Sequence, residues 1–182
     1  NQQWHSDSSF KIHPGHASIL NGRITPKIGG STQFICMRNI YTNLDQSIQK
    51  KLDNLDAIHH FAHSRSKIDS SMVSQIELDK FPPVVHPMVK INPVNNKKAV
   101  YFGSHTKSIK NLDGDESSRF LKYLNDFINN EDYIYSHKWD DFDMIIWDNR
   151  SMLHRGQPYD ITEPRYLVRA TVSDTMSRGT YL

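Results

Sequence analysis

Short apolar runs separated by polar turns are the main pattern along this chain of 182 residues. Runs of this length that are rich in β-branched and aromatic residues predict strands. They occupy residues 17–20, 33–40, 86–91, 99–102, 144–147 and 166–172. The sequence Asn-Pro-Val-Asn-Asn at 92–96 separates the third run from the fourth, and such a turn predicts a hairpin.

Two longer segments have apolar residues at helical spacing. In residues 44–62 the apolar positions are Leu44, Ile48, Leu52, Leu55 and Ile58. In residues 116–130 they are Phe120, Leu121, Leu124, Phe127 and Ile128. Apolar residues three and four apart share one helix face, so both segments are predicted to be helices. Residues 63–80 are polar and weakly patterned, which indicates a long loop.

Many short strands with two helices predict an antiparallel barrel or sandwich that carries helices on its outside. The chain shows no internal repeat and no low-complexity tract. Its length suits one domain with a sizeable core.

Composition restricts the function classes. A net charge of +2 is too small to indicate a nucleic-acid footprint or a membrane-surface patch. No apolar run approaches the length needed to cross a bilayer. Cys36 is the only cysteine, so an intramolecular disulfide is excluded, and we expect a cytoplasmic protein without nucleic-acid or membrane partners. Composition leaves room for a homo-oligomer.

Three side chains suggest metal chemistry: His5, Asp7 and the distant His154. On a strand, residues two apart point to the same face, so His5 and Asp7 would converge. Two imidazoles and one carboxylate can hold one face of an octahedral metal and leave three positions open. Taken alone, a His-x-Asp pattern is weak, and a surface turn or a capping pair explains it better.

Four separated motifs favour the metal site over the surface turn or capping pair. They are Trp4-His5-Ser6-Asp7, Gly29-Gly30-Ser31-Thr32, the segment 147–156 (WDNRSMLHRG) and the segment 165–172 (RYLVRATV). In order and spacing they resemble the taurine dioxygenase family of Fe(II)/2-oxoglutarate-dependent oxygenases, which includes the 2,4-dichlorophenoxyacetate dioxygenases. Residues 86–90, 99–101 and 104–106 resemble the middle region of that family, so the resemblance runs from about residue 4 to about residue 172.

The resemblance implies a fold and an activity. The fold would be a double-stranded β-helix, a cupin-like jelly-roll barrel that is mainly β with helices outside. His5, Asp7 and His154 would be the Fe(II) ligands and the catalytic centre. The reaction would use 2-oxoglutarate and dioxygen to hydroxylate a small anionic substrate, such as a sulfonate or an aryloxyacid, and would release succinate and CO2.

The resemblance also implies binding residues. Thr32 and Arg165 would hold the distal carboxylate of 2-oxoglutarate, and Arg169 would contact the acidic group of the substrate. A guanidinium can grip a carboxylate through two parallel hydrogen bonds. Structural alternatives remain: Thr32 as an ordinary strand residue, Arg165 as an ion-pair partner of Glu163 or Asp160, and Arg169 as a structural cation.

The other candidate residues have simpler interpretations. Spacing places His59, His60 and His63 on one face of the predicted helix, where a solvated face is the expected role. His86, His105 and His137 are expected to be ordinary core or surface histidines. Trp4 and Trp147 are expected to keep the metal centre dry.

One feature departs from the family pattern. The metal motif normally follows a substantial N-terminal region, whereas His5 lies near the start of this sequence. We therefore expect residues 1–182 to form a single oxygenase catalytic domain without that region, with an incomplete barrel that exposes an edge. Two other classes stay open: a cupin-type metalloenzyme independent of 2-oxoglutarate, and a non-catalytic barrel that binds a small acid or a protein.

Overall fold

The computed structural model describes residues 2–66, 73–175 and 179–182 of the chain. The fold is mainly β with a few helices. The strands are β1 (Gly15–Ile24), β2 (Thr32–Cys36), β3 (Asp56–His59), β4 (Val84–Pro87), β5 (Val89–Ile91), β6 (Lys98–Val100), β7 (Thr106–Ile109), β8 (Ile134–His137), β9 (Met144–Asp148), β10 (Met152–Gly156), β11 (Tyr166–Ser173) and β12 (Thr180–Tyr181). The α-helices are α1 (Met37–Asn43), α2 (Gln46–Leu52), α3 (Phe61–Ser66), α4 (Gln75–Lys80) and α5 (Gly114–Ile128).

The strands pair in an antiparallel manner throughout the described residues. Two three-stranded sheets have the orders β11-β1-β9 and β10-β2-β8. A four-stranded sheet has the order β12-β4-β3-β7, and β5 and β6 form the hairpin predicted from the sequence. Neighbours in the first two sheets are distant along the chain, so segments from both ends meet there.

The apolar core joins helices to strands. Helix α5 buries Phe120, Leu124 and Ile128, as its sequence pattern predicted. Asp113 caps the helix by accepting a hydrogen bond of 2.7 Å from the Glu116 backbone N–H. None of the helices in the described ranges is long and apolar enough to cross a membrane.

The sheet β11-β1-β9 is two-sided. Its outer face exposes Met144, Ile146 and Val172 to solvent. The opposite face carries Ser18, directly across from Trp147 on β9. Side chains alternate between the faces of a strand, so this register directs Ser18 toward the same side as the indole.

Two predicted elements differ in the structure. The strand predicted for 33–40 ends at Cys36, because Met37 and Ile40 are buried one helical turn apart and begin α1. Of the residues predicted to form one helix, 44–62, only 46–52 form α2 and 61–62 begin α3. The segment after α2, β3, pairs with β4 and β7, and these non-local hydrogen bonds override the helical spacing.

The predicted loop at 63–80 is partly helical. It begins with the end of α3 and ends with α4, which Ser74 and Glu77 start through a reciprocal capping box. Residues 67–72 of the predicted loop lie outside the described residues.

The solvated helix face predicted for His59 is wrong. His59 ends β3 and is 1% exposed, and its ring centroid lies 5.5 Å from those of His86 and Tyr101. The Lys90 ammonium lies 4.0 Å from the centre of the Tyr101 ring. Burial lowers the pKa of His86 to about 4, so this histidine is neutral in the folded chain at pH 7.

Acidification from pH 7 to pH 4 should therefore lower the free energy of unfolding. Between pH 6.5 and pH 4 the unfolded chain binds a proton at residue 86 more readily than the folded chain, so stability falls as the pH falls. The contribution of His86 is on the order of 3 kcal/mol. Urea unfolding at several pH values should show a flatter slope for His86→Gln, whereas the exposed His13→Gln control should keep the original slope. An unchanged slope in His86→Gln would contradict this assignment.

Candidate metal centre

His5 and His154 are held side by side by the backbone. They form an isolated antiparallel bridge, in which the His5 N–H donates to the His154 carbonyl at 3.1 Å and the reverse bond is 2.9 Å. His154 lies on β10, whereas His5 belongs to no regular strand, so the strand predicted around His5 is reduced to this one bridge. The bridge nevertheless brings together residues from opposite ends of the chain.

The three predicted ligands converge. Candidate ligand atoms of His5, Asp7 and His154 all lie within 4.8 Å of one another. Asp7 Oδ1 is 3.9 Å from His5 Nε2 and 3.8 Å from His154 Nε2. All three residues are buried. Elsewhere in the described part of the chain, no other cluster of three such residues has this geometry.

The imidazoles of His5 and His154 are in the neutral form that can bind a metal ion. His5 Nδ1 lies 2.8 Å from the Gln3 carbonyl oxygen, to which only an N–H can donate. This fixes the tautomer with a lone pair on Nε2, which is buried without a hydrogen-bond partner. Burial lowers the pKa of His5 and lowers that of His154 further below its usual value, so both rings are neutral, the form that binds metals. The residues present therefore fit a divalent ion.

The backbone around Asp7 packs closely against that of Gly15. The Gly15 N–H donates to the Asp7 carbonyl at 3.0 Å, where the chain turns from the metal motif into β1. A Cβ at Gly15 would lie only 2.8 Å from that carbonyl oxygen, so a larger residue would push the two segments apart.

Thr32 makes a side-chain hydrogen bond at the start of β2. It is buried at the start of β2, and its Oγ1 accepts a hydrogen bond of 2.9 Å from Trp139 Nε1. Because the indole occupies an acceptor position, the hydroxyl proton of Thr32 is available to donate to a ligand. The sequence pattern gave no signal for Trp139, which lies outside the predicted strands.

Arg165 has no carboxylate within ion-pair distance among the described residues, which removes the ion-pair alternative. Glu163 instead accepts from the Lys27 backbone N–H at 2.7 Å. The Arg165 guanidinium lies 5.3 Å from the ring centre of Tyr159 and donates to the Gly30 carbonyl at 3.2 Å. Its Nε is buried and has no hydrogen-bond partner among the described residues.

Arg169 adjoins the metal motif. Its Nη1 lies 3.2 Å from Asp7 Oδ1, and half of its side chain is exposed. It pairs across the sheet with Leu20 of β1. The side chain therefore reaches the centre and still faces a cavity.

Two cavities meet at the three predicted ligands. The larger, of about 430 Å³, is lined by Thr32, His154 and Arg165. The smaller, of about 190 Å³, is lined by Asp7 and by aromatic side chains. Gln2, His5 and Arg169 line both cavities. The centre thus opens on two sides.

Trp4 and Trp147 are buried as predicted, and the Trp147 ring lies 4.6 Å from that of His154. His105 lines the smaller cavity rather than an ordinary core position. His137 is a partly buried partner of Asp143 at 3.0 Å.

Comparison with known proteins identifies the family. The family model described as "Taurine catabolism dioxygenase TauD, TfdA family" matches residues 1–171. The α-ketoglutarate-dependent 2,4-dichlorophenoxyacetate dioxygenase of Cupriavidus pinatubonensis is 35% identical over 96% of this chain. The (S)-phenoxypropionate/α-ketoglutarate-dioxygenase of Sphingobium herbicidovorans is 31% identical over 100% of it. The chain spans 61% and 66% of the lengths of these two relatives.

Solved structures agree. AAD-2 in complex with Mn(II) and N-oxalylglycine superposes with a TM-score of 0.91 at 34% identity, over 96% of this chain and 69% of that one. A putative α-ketoglutarate-dependent 2,4-D dioxygenase from Burkholderia xenovorans gives a TM-score of 0.92 at 32% identity, over 96% and 68%. The chain therefore belongs to the TauD/TfdA family of dioxygenases.

Proposed function

We propose that this protein is an Fe(II)- and 2-oxoglutarate-dependent dioxygenase that hydroxylates a small anionic substrate and releases succinate and CO2. The observation that carries the proposal is the buried cluster of His5, Asp7 and His154, with a cavity on each side. Two neutral imidazoles and one carboxylate are the ligand set of non-haem Fe(II) oxygenases, which leave positions free for co-substrate and dioxygen.

The larger cavity suits 2-oxoglutarate. Its wall contains His154, one of the three predicted ligands, together with Arg165 and Thr32. A dicarboxylate bound there would place its keto-acid end at the ion and its distal carboxylate on the guanidinium. N-oxalylglycine, which is bound in AAD-2, has the same dicarboxylate skeleton with an N–H in place of one methylene.

The smaller cavity suits the substrate. Phe10 contacts Phe61 and His105 with ring centroids 5.0 and 4.8 Å apart, which gives an aromatic wall. Arg169 and Arg65 also line this cavity and supply positive charge. An aryl acid, such as the aryloxyacids named for the relatives, would place its ring on the aromatic wall and its carboxylate on an arginine.

The protein residues position and protect the reactants. Bound iron supplies the redox chemistry that couples decarboxylation of 2-oxoglutarate to oxidation of the substrate. Trp147 packs against His154 and limits access of water to that ligand. Arg165 would hold the distal carboxylate of 2-oxoglutarate in the larger cavity, and Arg169, which lines both cavities, would face the acidic group of the substrate, so that each acid is oriented before reaction.

We further propose that the fold is a double-stranded β-helix. The sheets β11-β1-β9 and β10-β2-β8 carry the centre between them and would be the two walls of a double-stranded β-helix. Residues 1–182 would act as one catalytic domain. A cytoplasmic location and self-association stay predictions.

Anaerobic titration of the full chain with Fe(II) and then 2-oxoglutarate tests the function. Chelation of the ion by the keto acid gives a weak visible charge-transfer band, which we expect only when both are present. Metal binding without this band would favour a cupin-type enzyme independent of 2-oxoglutarate. Absence of Fe(II) binding would favour a non-catalytic barrel.

A further inference from the structure

The Asp7 carboxylate is held on one side by a buried hydrogen-bond chain. Ser18 Oγ donates to Asp7 Oδ2 at 2.6 Å, and the hydroxyl in turn accepts from Asn149 Nδ2 at 2.8 Å. Ser18 is fully buried, and Asn149 is almost so. Bulk water therefore does not compete for these hydrogen bonds.

The orientation of the Asn149 amide is determined by its partners. Its Oδ1 accepts from the Asp7 backbone N–H at 3.2 Å and from Trp147 Nε1 at 3.0 Å. Its backbone carbonyl accepts from Ser6 Oγ at 2.7 Å. One asparagine thus fixes the backbone of the metal motif and also orients the Ser18 hydroxyl.

The two oxygens of Asp7 are consequently unlike. Oδ2 accepts the Ser18 proton, whereas Oδ1 faces the Nε2 atoms of His5 and His154 and accepts a hydrogen bond of 3.2 Å from Arg169 Nη1, whose side chain is half exposed. A carboxylate held in this way presents one oxygen to a metal. If both oxygens bound, one fewer position would remain for the keto acid and dioxygen.

We propose that Ser18 and Asn149 are positioning residues that restrict Asp7 to single-oxygen coordination of the metal. The inference rests on the proposed function, because it concerns the same metal centre. Hydrogen-bond partners of metal ligands typically contribute roughly 10- to 100-fold to metal affinity or activity.

Two variants test the inference. Ser18→Ala removes the donor to Oδ2. Asn149→Asp keeps the side-chain size but replaces the amide donor by an acceptor that competes for the Ser18 proton. We expect Mn(II) to bind roughly 10- to 100-fold more weakly to each variant. The visible spectrum of bound Co(II) should also change, because a freed Oδ2 alters the coordination geometry.

Ser117→Ala is the matched control. Ser117 is equally buried and accepts a hydrogen bond of 2.8 Å from the Ile109 N–H, far along the chain from the metal motif. It should lose stability while keeping the Mn(II) affinity and Co(II) spectrum of the unmodified chain. Folded Ser18→Ala and Asn149→Asp proteins with unchanged affinity and spectrum would overturn the inference. Failure of the unmodified chain to bind either ion would instead contradict the proposed function.

Discussion

Asp7→Asn should reduce 2-oxoglutarate-dependent succinate formation by more than roughly 100-fold, since loss of a mere hydrogen-bond partner of a ligand already costs 10- to 100-fold. The change removes the only anionic member of the ligand set formed with His5 and His154. An amide oxygen is a weaker, neutral ligand for a divalent ion. The measurements are Fe(II) affinity by anaerobic titration and succinate release by the reconstituted chain.

Asp174→Asn provides the control for this experiment. Asp174 is as deeply buried as Asp7, but its nearby imidazole belongs to His16 rather than to the metal centre. The control should retain Fe(II) binding even where its unfolding temperature falls. Undiminished succinate formation by Asp7→Asn, with the protein shown to be folded, would remove the three-residue cluster from the mechanism.

Local pattern predicted some of this structure well. The spacing of Phe120, Leu124 and Ile128 identified α5. A helix that packs one face on a core has apolar residues three and four positions apart, and this spacing is visible in the sequence. The segment containing Ile58 had similar spacing but forms β3, since its hydrogen bonds come from β4 and β7. Pairing between distant strands has no local signature, so spacing alone could not separate these two cases.

The sequence likewise predicted some residues of the candidate site and missed others. His5, Asp7 and His154 were predictable because the motifs that contain them resemble those of the family in order and spacing. Ser18 and Asn149 were not, although their side chains lie in the hydrogen-bond network around Asp7. Their hydrogen bond joins residues 131 positions apart, and neither residue type is distinctive by itself. Asn149 lies inside the motif at 147–156, and this position in the motif is the sequence feature that could have identified it.

Substitution of Arg165 should cause a large loss of 2-oxoglutarate affinity. Arg165→Ala should weaken binding of 2-oxoglutarate to the Fe(II)-loaded chain by about 2–5 kcal/mol, because the distal carboxylate would lose both hydrogen bonds and its charge partner. That range corresponds to roughly 30-fold to several-thousand-fold weaker binding. Fe(II) affinity should change little, since Arg165 contacts Gly30 and Tyr159 rather than the three ligands. Titration of the visible band with 2-oxoglutarate measures this constant directly.

Two further variants separate geometry from charge. Arg165→Lys keeps the positive charge but loses the planar fork, so its affinity for 2-oxoglutarate should fall between those of the unmodified chain and Arg165→Ala. Arg150→Ala is the control, because Arg150 is already paired with Asp148 at 2.9 Å and does not line the larger cavity. Equal affinities in Arg165→Ala and Arg150→Ala would place the distal carboxylate elsewhere. Partial burial removes water from the Arg165 guanidinium, lowers its pKa and leaves its Nε without a hydrogen-bond partner, so we expect its loss to weaken anion binding more than the loss of an exposed arginine.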